Sequence, residues 1–177
     1  MGKYYDELQK SMEWLGEKPD TFFLGQSIVA GGTGMTNSFQ NVTSDKKLET
    51  PVFEHTQMAM TIGMSLNNTI PISVFPRWDF LLLAADQIVN HLNRIVDMSD
   101  FRPKVIIRTS IGSIRPLHPF HQHCNDYTDA FQLMCKNIEF IRLDEPEDIF
   151  PAYKKAYERT DGKSTVLVEY GDYLSEK

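Results

Sequence analysis

Short apolar runs of strand length alternate with segments of helical period along the whole 177-residue chain. This alternation constrains the fold more than any single motif does. Strands that are nearly continuous apolar runs belong to sheets covered on both faces, and helices between them supply the crossovers that parallel strands require. Residues 3–16 carry Leu8, Met12 and Leu15 at helical spacing, and residues 21–30 (TFFLGQSIVA) read as a buried strand. An extended Pro51-Val52-Phe53-Glu54 leads into a Met- and Ala-rich helix over residues 55–66. Residues 69–75 (TIPISVF) are β-branched and bounded by Asn67-Asn68 and Pro76, as a strand should be. Asp79 is placed to cap the next helix, where Leu81, Ala84, Ala85, Ile88, Leu92 and Ile95 form a core-facing stripe. Strands at 104–109, 138–143 and 164–170, with helices near 127–136 and 148–159, continue the pattern. No repeat, low-complexity stretch or Pro/Gly-rich linker divides the chain. The expected fold is a three-layer α/β/α domain over residues 1–177, with a mostly parallel sheet covered by helices on both faces.

Composition narrows the partners. The 18 Lys and Arg stand against 24 Asp and Glu, and the net charge of −6 is spread without blocks, so no nucleic-acid-binding face is expected. The longest apolar run, residues 80–85, falls far short of the ~20 residues that span a bilayer, and Lys3, Asp6 and Glu7 replace a signal peptide. Two cysteines, Cys124 and Cys135, are too few for a disulfide scaffold and fit a reducing compartment; a cytoplasmic location follows as an expectation.

In parallel sheets ligands meet the loops at the carboxyl ends of the strands, which directs attention to residues 31–34, Glu54, 76–80 and 110–125. Residues 30–34 (AGGTG) lack the GxGxxG spacing, so a turn using glycine's freedom at positive φ competes with a phosphate cradle. No GxxxxGK[ST] occurs. His118, His121, His123 and Cys124 form an H-x-x-H-x-H-C cluster interrupted by Pro119. It offers zinc ligands, a proton-transferring histidine in a cleft, or a solvated loop, and no second ligand pair lies elsewhere. Glu54 ends an apolar stretch and precedes a helix with few charges. Partial desolvation favours a protonated carboxyl, which suits a paired structural acid and an acid/base catalyst equally. The rings of Phe75, Trp78 and Phe80 suit core packing, although a ring at a strand's carboxyl end also supports a planar heterocycle.

The order of these features resembles the thiamine-diphosphate enzymes, most closely the N-terminal pyrimidine-binding domain of pyruvate dehydrogenase and related 2-oxo acid dehydrogenase beta subunits. The likeness runs from about Tyr5 to Tyr170. It rests on Phe22-Phe23-Leu24-Gly25, Glu49-Thr50-Pro51-Val52-Phe53-Glu54, Pro71-Ile72 through Phe75, Phe80, Ala85-Asp86-Gln87-Ile88-Val89-Asn90, Arg108, Gly112 and His121-Gln122-His123-Cys124. The resemblance implies that Glu54 hydrogen-bonds N1′ of the aminopyrimidine and promotes its imino tautomer, that Phe80 stacks on that ring, and that His121 lies near the substrate. His118 and His123 have no counterpart. Gln26 stands where many members have an acidic residue, and Arg77 and Trp78 are bulkier and more polar than expected near the pocket, a sign of a different substrate. A GDG followed by a downstream Asn, which binds magnesium and diphosphate in these enzymes, is missing; Gly171-Asp172-Tyr173 is the nearest fragment.

The implied protein is a pyrimidine-binding subunit acting on a small 2-keto acid or related carbonyl donor. Its cofactor would be thiamine diphosphate, with Mg held mainly by an alpha-like, diphosphate-binding partner chain, no metal site of its own, and no activity alone. Self-association is a further expectation; the Met-rich helix, where Gly63 permits close approach, suits a subunit contact and a buried core helix equally, since periodicity does not separate the two. The alternative is a catalytically silent α/β partner that keeps the fold; a zinc module on the histidine loop is a third.

Overall fold

The computed structural model describes residues 2–112 and 119–177. A six-stranded, all-parallel sheet runs in the order β2-β1-β3-β4-β6-β5, with β1 Thr21–Gly25, β2 Lys47–Glu49, β3 Ile70–Val74, β4 Ile106–Ile111, β5 Ile138–Arg142 and β6 Ser164–Tyr170. Each strand pairs in parallel with its neighbours, so the connections cross over the sheet and do not turn back as hairpins.

Alternation along the strands divides the core in two. Ile106 and Leu167 join one cluster, while Ile107, Val166 and Val168 join the other. On the first face lie α1 (Lys3–Gly16) and α7 (Pro146–Glu158), packed on each other and contributing Leu8, Met12, Ile149 and Tyr153. Pro146 opens α7, where its missing N–H costs nothing, and Glu147 and Asp148 favour the positive end of the helix dipole. The second face is covered by α3 (Glu54–Ser65), by the segment from α4 (Trp78–Leu81) to α5 (Ile95–Met98), and by α6 (Thr128–Met134). Two further helices, α2 (Gly34–Asn37) and α8 (Tyr173–Glu176), are short. No helix among the described residues is long and apolar enough to cross a membrane.

Two expectations change and one strand was not foreseen. The strand expected over 21–30 stops at Gly25; Ser27 turns the chain at a φ of 58°, and the amides of Ser27 and Val29 donate to the Glu49 carboxylate in place of a sheet partner. β2 is a short, polar edge strand with no periodic signal. The helix expected after Asp79 is broken. A 3₁₀ turn at Leu82–Ala84 and a wide, π-type stretch at Gln87–Leu92 separate α4 from α5, although Leu81, Ala84, Ile88 and Leu92 are all buried. The wide turn drops buried Asn93 onto the turn before β5, where its Oδ1 accepts from the Asn137 amide at 3.0 Å.

A fully buried ion pair ties β4 to β6. Arg108 donates through Nε and Nη2 to the two Glu169 carboxylate oxygens, and through Nη1 to Ser38 Oγ at 2.7 Å. Tyr153 Oη adds a 2.9 Å bond to Glu169. Such a pair survives burial only when its remaining hydrogen-bonding capacity is met.

Candidate active site

Strand order reverses beside β1: the chain passes from β1 outward to β2, then crosses back to β3 on the other side. At such a switch point the loops diverge and leave a crevice at the carboxyl ends of the strands. Gln26 follows β1, Glu54 starts the helix that leads from β2 to β3, and Phe80 lies on α4 after β3. All three thus lie on segments that leave the carboxyl ends of β1, β2 and β3. Gly25 brings β1 and β3 close, since a Cβ there would stand 2.6 Å from the Val74 carbonyl oxygen.

Glu54 is 6% exposed. Its Oε1 accepts from Gln26 Nε2 at 3.1 Å, and no described residue donates to its second oxygen. Gln26 therefore pairs with the carboxylate by donating a hydrogen bond, where an acidic residue would have repelled it. The helix behind Glu54 is fixed by buried polar contacts. Gln57 accepts from Thr50 Oγ1 at 3.1 Å and donates to Ser73 Oγ and the Val74 carbonyl, while Thr61 Oγ1 donates to the Gln57 carbonyl at 2.8 Å. A buried network with every partner met holds one geometry.

Residues 77–80 grip the histidine segment. Arg77 Nη1 donates to the carbonyls of Gly112 at 2.6 Å and His123 at 2.7 Å. Trp78 is fully buried and donates to Thr128 Oγ1 at 3.0 Å, with its ring against Phe131 and Phe140. Asp79 does not cap a helix; Arg77 occupies that position, and Asp79 Oδ1 accepts from Asn125 Nδ2 at 2.7 Å. Half-buried Phe80 meets the His123 ring at 5.0 Å between centroids, tilted by 43°. Arg77 and Trp78 thus serve the loop and the core.

His121 is exposed, and His118 lies outside the described residues. His123 is the histidine seated against Phe80, a role that spacing alone gave no reason to assign. Its Nδ1 is buried with no hydrogen-bond partner among the described residues. The glycine-rich stretch makes no phosphate cradle: the Gly31 amide bonds the Ser27 carbonyl, that of Gly32 bonds Asn37 Oδ1 and that of Thr33 bonds Thr36 Oγ1. Thr33 and Thr36 form a reciprocal cap that starts α2 there. Among the described residues no three His, Cys, Asp or Glu side chains converge as metal ligands.

A parallel sheet that opens at its switch point onto a buried carboxylate and a half-buried ring is the build of a cofactor-binding α/β domain. More narrowly, the chain belongs to the transketolase pyrimidine-binding domain family, whose profile matches residues 4–172. That family binds the pyrimidine ring of thiamine diphosphate. Among solved structures it is similar to a split-gene transketolase described as an inactive beta4 tetramer, with 15% identity, TM-score 0.70, and coverage of 95% of this chain and 51% of that one. Transketolase from Leishmania mexicana (16% identity, TM-score 0.70, 93% and 24% covered) and from Campylobacter jejuni (15%, 0.68, 93% and 25%) share the fold. The chain spans about half the length of the first and about a quarter of the other two. No curated protein matches it in sequence.

Proposed function

We propose that this chain is the pyrimidine-binding subunit of a thiamine-diphosphate-dependent enzyme acting on a 2-keto acid or related carbonyl donor. A partner chain would hold the diphosphate and Mg. The observation that carries the reading is Glu54: a buried carboxylate at the switch point, with one oxygen bonded to Gln26 and no described donor on the other. These residues fit the group. The carboxylate can hold a proton shared with N1′ of an aminopyrimidine, and Gln26 fixes the carboxylate's orientation by donating to Oε1. Phe80 offers a ring for stacking, and His121 stands as the residue that orients or protonates the reacting group. Bound thiamine diphosphate supplies the nucleophilic carbon and the electron sink; the protein supplies placement and the proton at N1′. The beta4 assembly of the similar split-gene chain supports self-association as well.

The test is co-expression with candidate diphosphate-binding chains encoded beside this one, then a thiamine-diphosphate-dependent decarboxylation assay over a set of 2-keto acids. Glu54→Gln should keep the fold and lower turnover by about 10²- to 10⁴-fold. Equal turnover of the two proteins would refute the role of Glu54. Failure of every assembly to bind the cofactor would leave the catalytically silent partner.

A further inference from the structure

Two carboxylates bound the short segment between β2 and α3: Glu49 ends the strand and Glu54 starts the helix. Both bond the turn that follows β1. Glu49 accepts from the amides of Ser27 and, at 2.8 Å, Val29, while Glu54 Oε1 accepts from Gln26 Nε2 at 3.1 Å. The backbone joins the same two stretches, since the Thr50 amide donates to the Gly25 carbonyl at 2.9 Å. The turn and the segment are therefore laced together at both ends.

The turn needs such a hold. Ser27 stands at a φ of 58°, in the left-handed region that non-glycine residues seldom enter and keep only where their surroundings fix them. A carboxylate suits the task, because it offers two acceptor oxygens to two N–H groups and carries no donor of its own. Among the described residues the Gln26 side chain bonds only Glu54, so its aim is set by the backbone of the turn. We propose that Glu49 is a positioning residue for Glu54: it fixes the 26–29 turn, the turn aims Gln26, and Gln26 orients the Glu54 carboxylate with Oε2 left for N1′ of the aminopyrimidine. The proposal rests on the function proposed above and adds to it a residue that acts only through others.

Two measurements test it. Glutamine at 49 keeps the size of the side chain but has one acceptor oxygen, and it turns an NH₂ group toward the second amide. In the ¹⁵N-labelled chain without cofactor, the amide of Ser27 or Val29 should exchange at least about tenfold faster in Glu49→Gln than in wild type, and the Gln26 side-chain NH₂ signal should move. Unchanged exchange, or a Gln26 signal that stays in place, overturns the proposal whether or not any cofactor binds. In the active assembly, with pyruvate and hydroxypyruvate as probes and below each variant's unfolding midpoint, Glu49→Gln should lower kcat at least tenfold, about 1.4 kcal/mol. KM should stay within about threefold of wild type, because the substrate's own contacts are untouched. In a Gln26→Ala background the same substitution should add less than about threefold to the loss in kcat, because the route through Gln26 is already cut. Losses that multiply independently would mean that Glu49 acts by another route, and wild-type kcat in Glu49→Gln would leave it as the end of β1 alone; either result removes the proposal. An assembly that never binds thiamine diphosphate fails the proposed function instead, and the exchange and Gln26 signals still decide whether Glu49 aims Gln26.

Discussion

Asp126 shows how one carboxylate can secure the histidine segment. Burial alone would push its carboxyl up, but hydrogen bonds from the Thr128 hydroxyl and amide and from Arg142 outweigh that and hold it below the ordinary value of 3.8. The Thr128 amide lies 2.9 Å from Oδ1 and Arg142 Nε lies 2.8 Å from Oδ2. A depressed carboxyl contributes stability that is present above its unfolded pKa and lost as pH falls through its folded one. Asp126→Asn should therefore be less stable than wild type at neutral pH. It should also lose less stability between about pH 5 and pH 2, as urea titrations across that range would show. A parallel decline in the two proteins would mean that Asp126 does not carry this dependence. At the same scale, Glu54 was legible from its apolar surroundings, and the structure does bury it. His123 was named only as one member of a cluster, because nothing in H-x-H spacing says which ring meets Phe80.

Among the elements, β1 and β3 set the site's width. Their register pairs Gly25 with Val74, and an added Cβ would meet the Val74 carbonyl oxygen at 2.6 Å and Val74 Cβ at 3.0 Å. Backbone cannot yield as a flexible side chain can. Gly25→Ala should lower stability by about 1–3 kcal/mol, read as a lower urea midpoint with an unchanged slope; an unchanged midpoint would show that the two strands can part. Most elements were readable from period. The exceptions share a cause, since each depends on a partner distant in sequence: Glu49 ends β1, Asn137 receives the wide turn at Asn93, and the edge strand β2 exists only through pairing with β1.

For the whole molecule, the outer face of α3 is the notable surface. Ala59 and Gly63 are exposed there, Val52 before the helix is 76% exposed and Leu66 after it 51%, and Leu83 on the neighbouring turn is 61% exposed. A Cβ on Gly63 would meet nothing. If the proposed association uses this face, a charge placed on it would have to be desolvated in the contact. Ala59→Glu should leave thermal unfolding of the isolated chain unchanged, abolish its self-association in light scattering, and prevent co-purification with the diphosphate-binding chain. Wild-type association in this variant would place the contact elsewhere.

The sequence alone determined the layered α/β fold, because continuous apolar strands and amphipathic helices leave few other ways to bury their faces. It also singled out Glu54 and Phe80, which precede or follow strands at loops where ligands bind. Only the tertiary structure decided that Gln26 donates to Glu54, that Arg77 and Asp79 hold the histidine segment, and that His123 meets Phe80. The physical reason is range. Period and propensity act over a few residues, whereas these contacts join positions 28 to 46 apart along the chain, brought together by the strand order around β1 and β3.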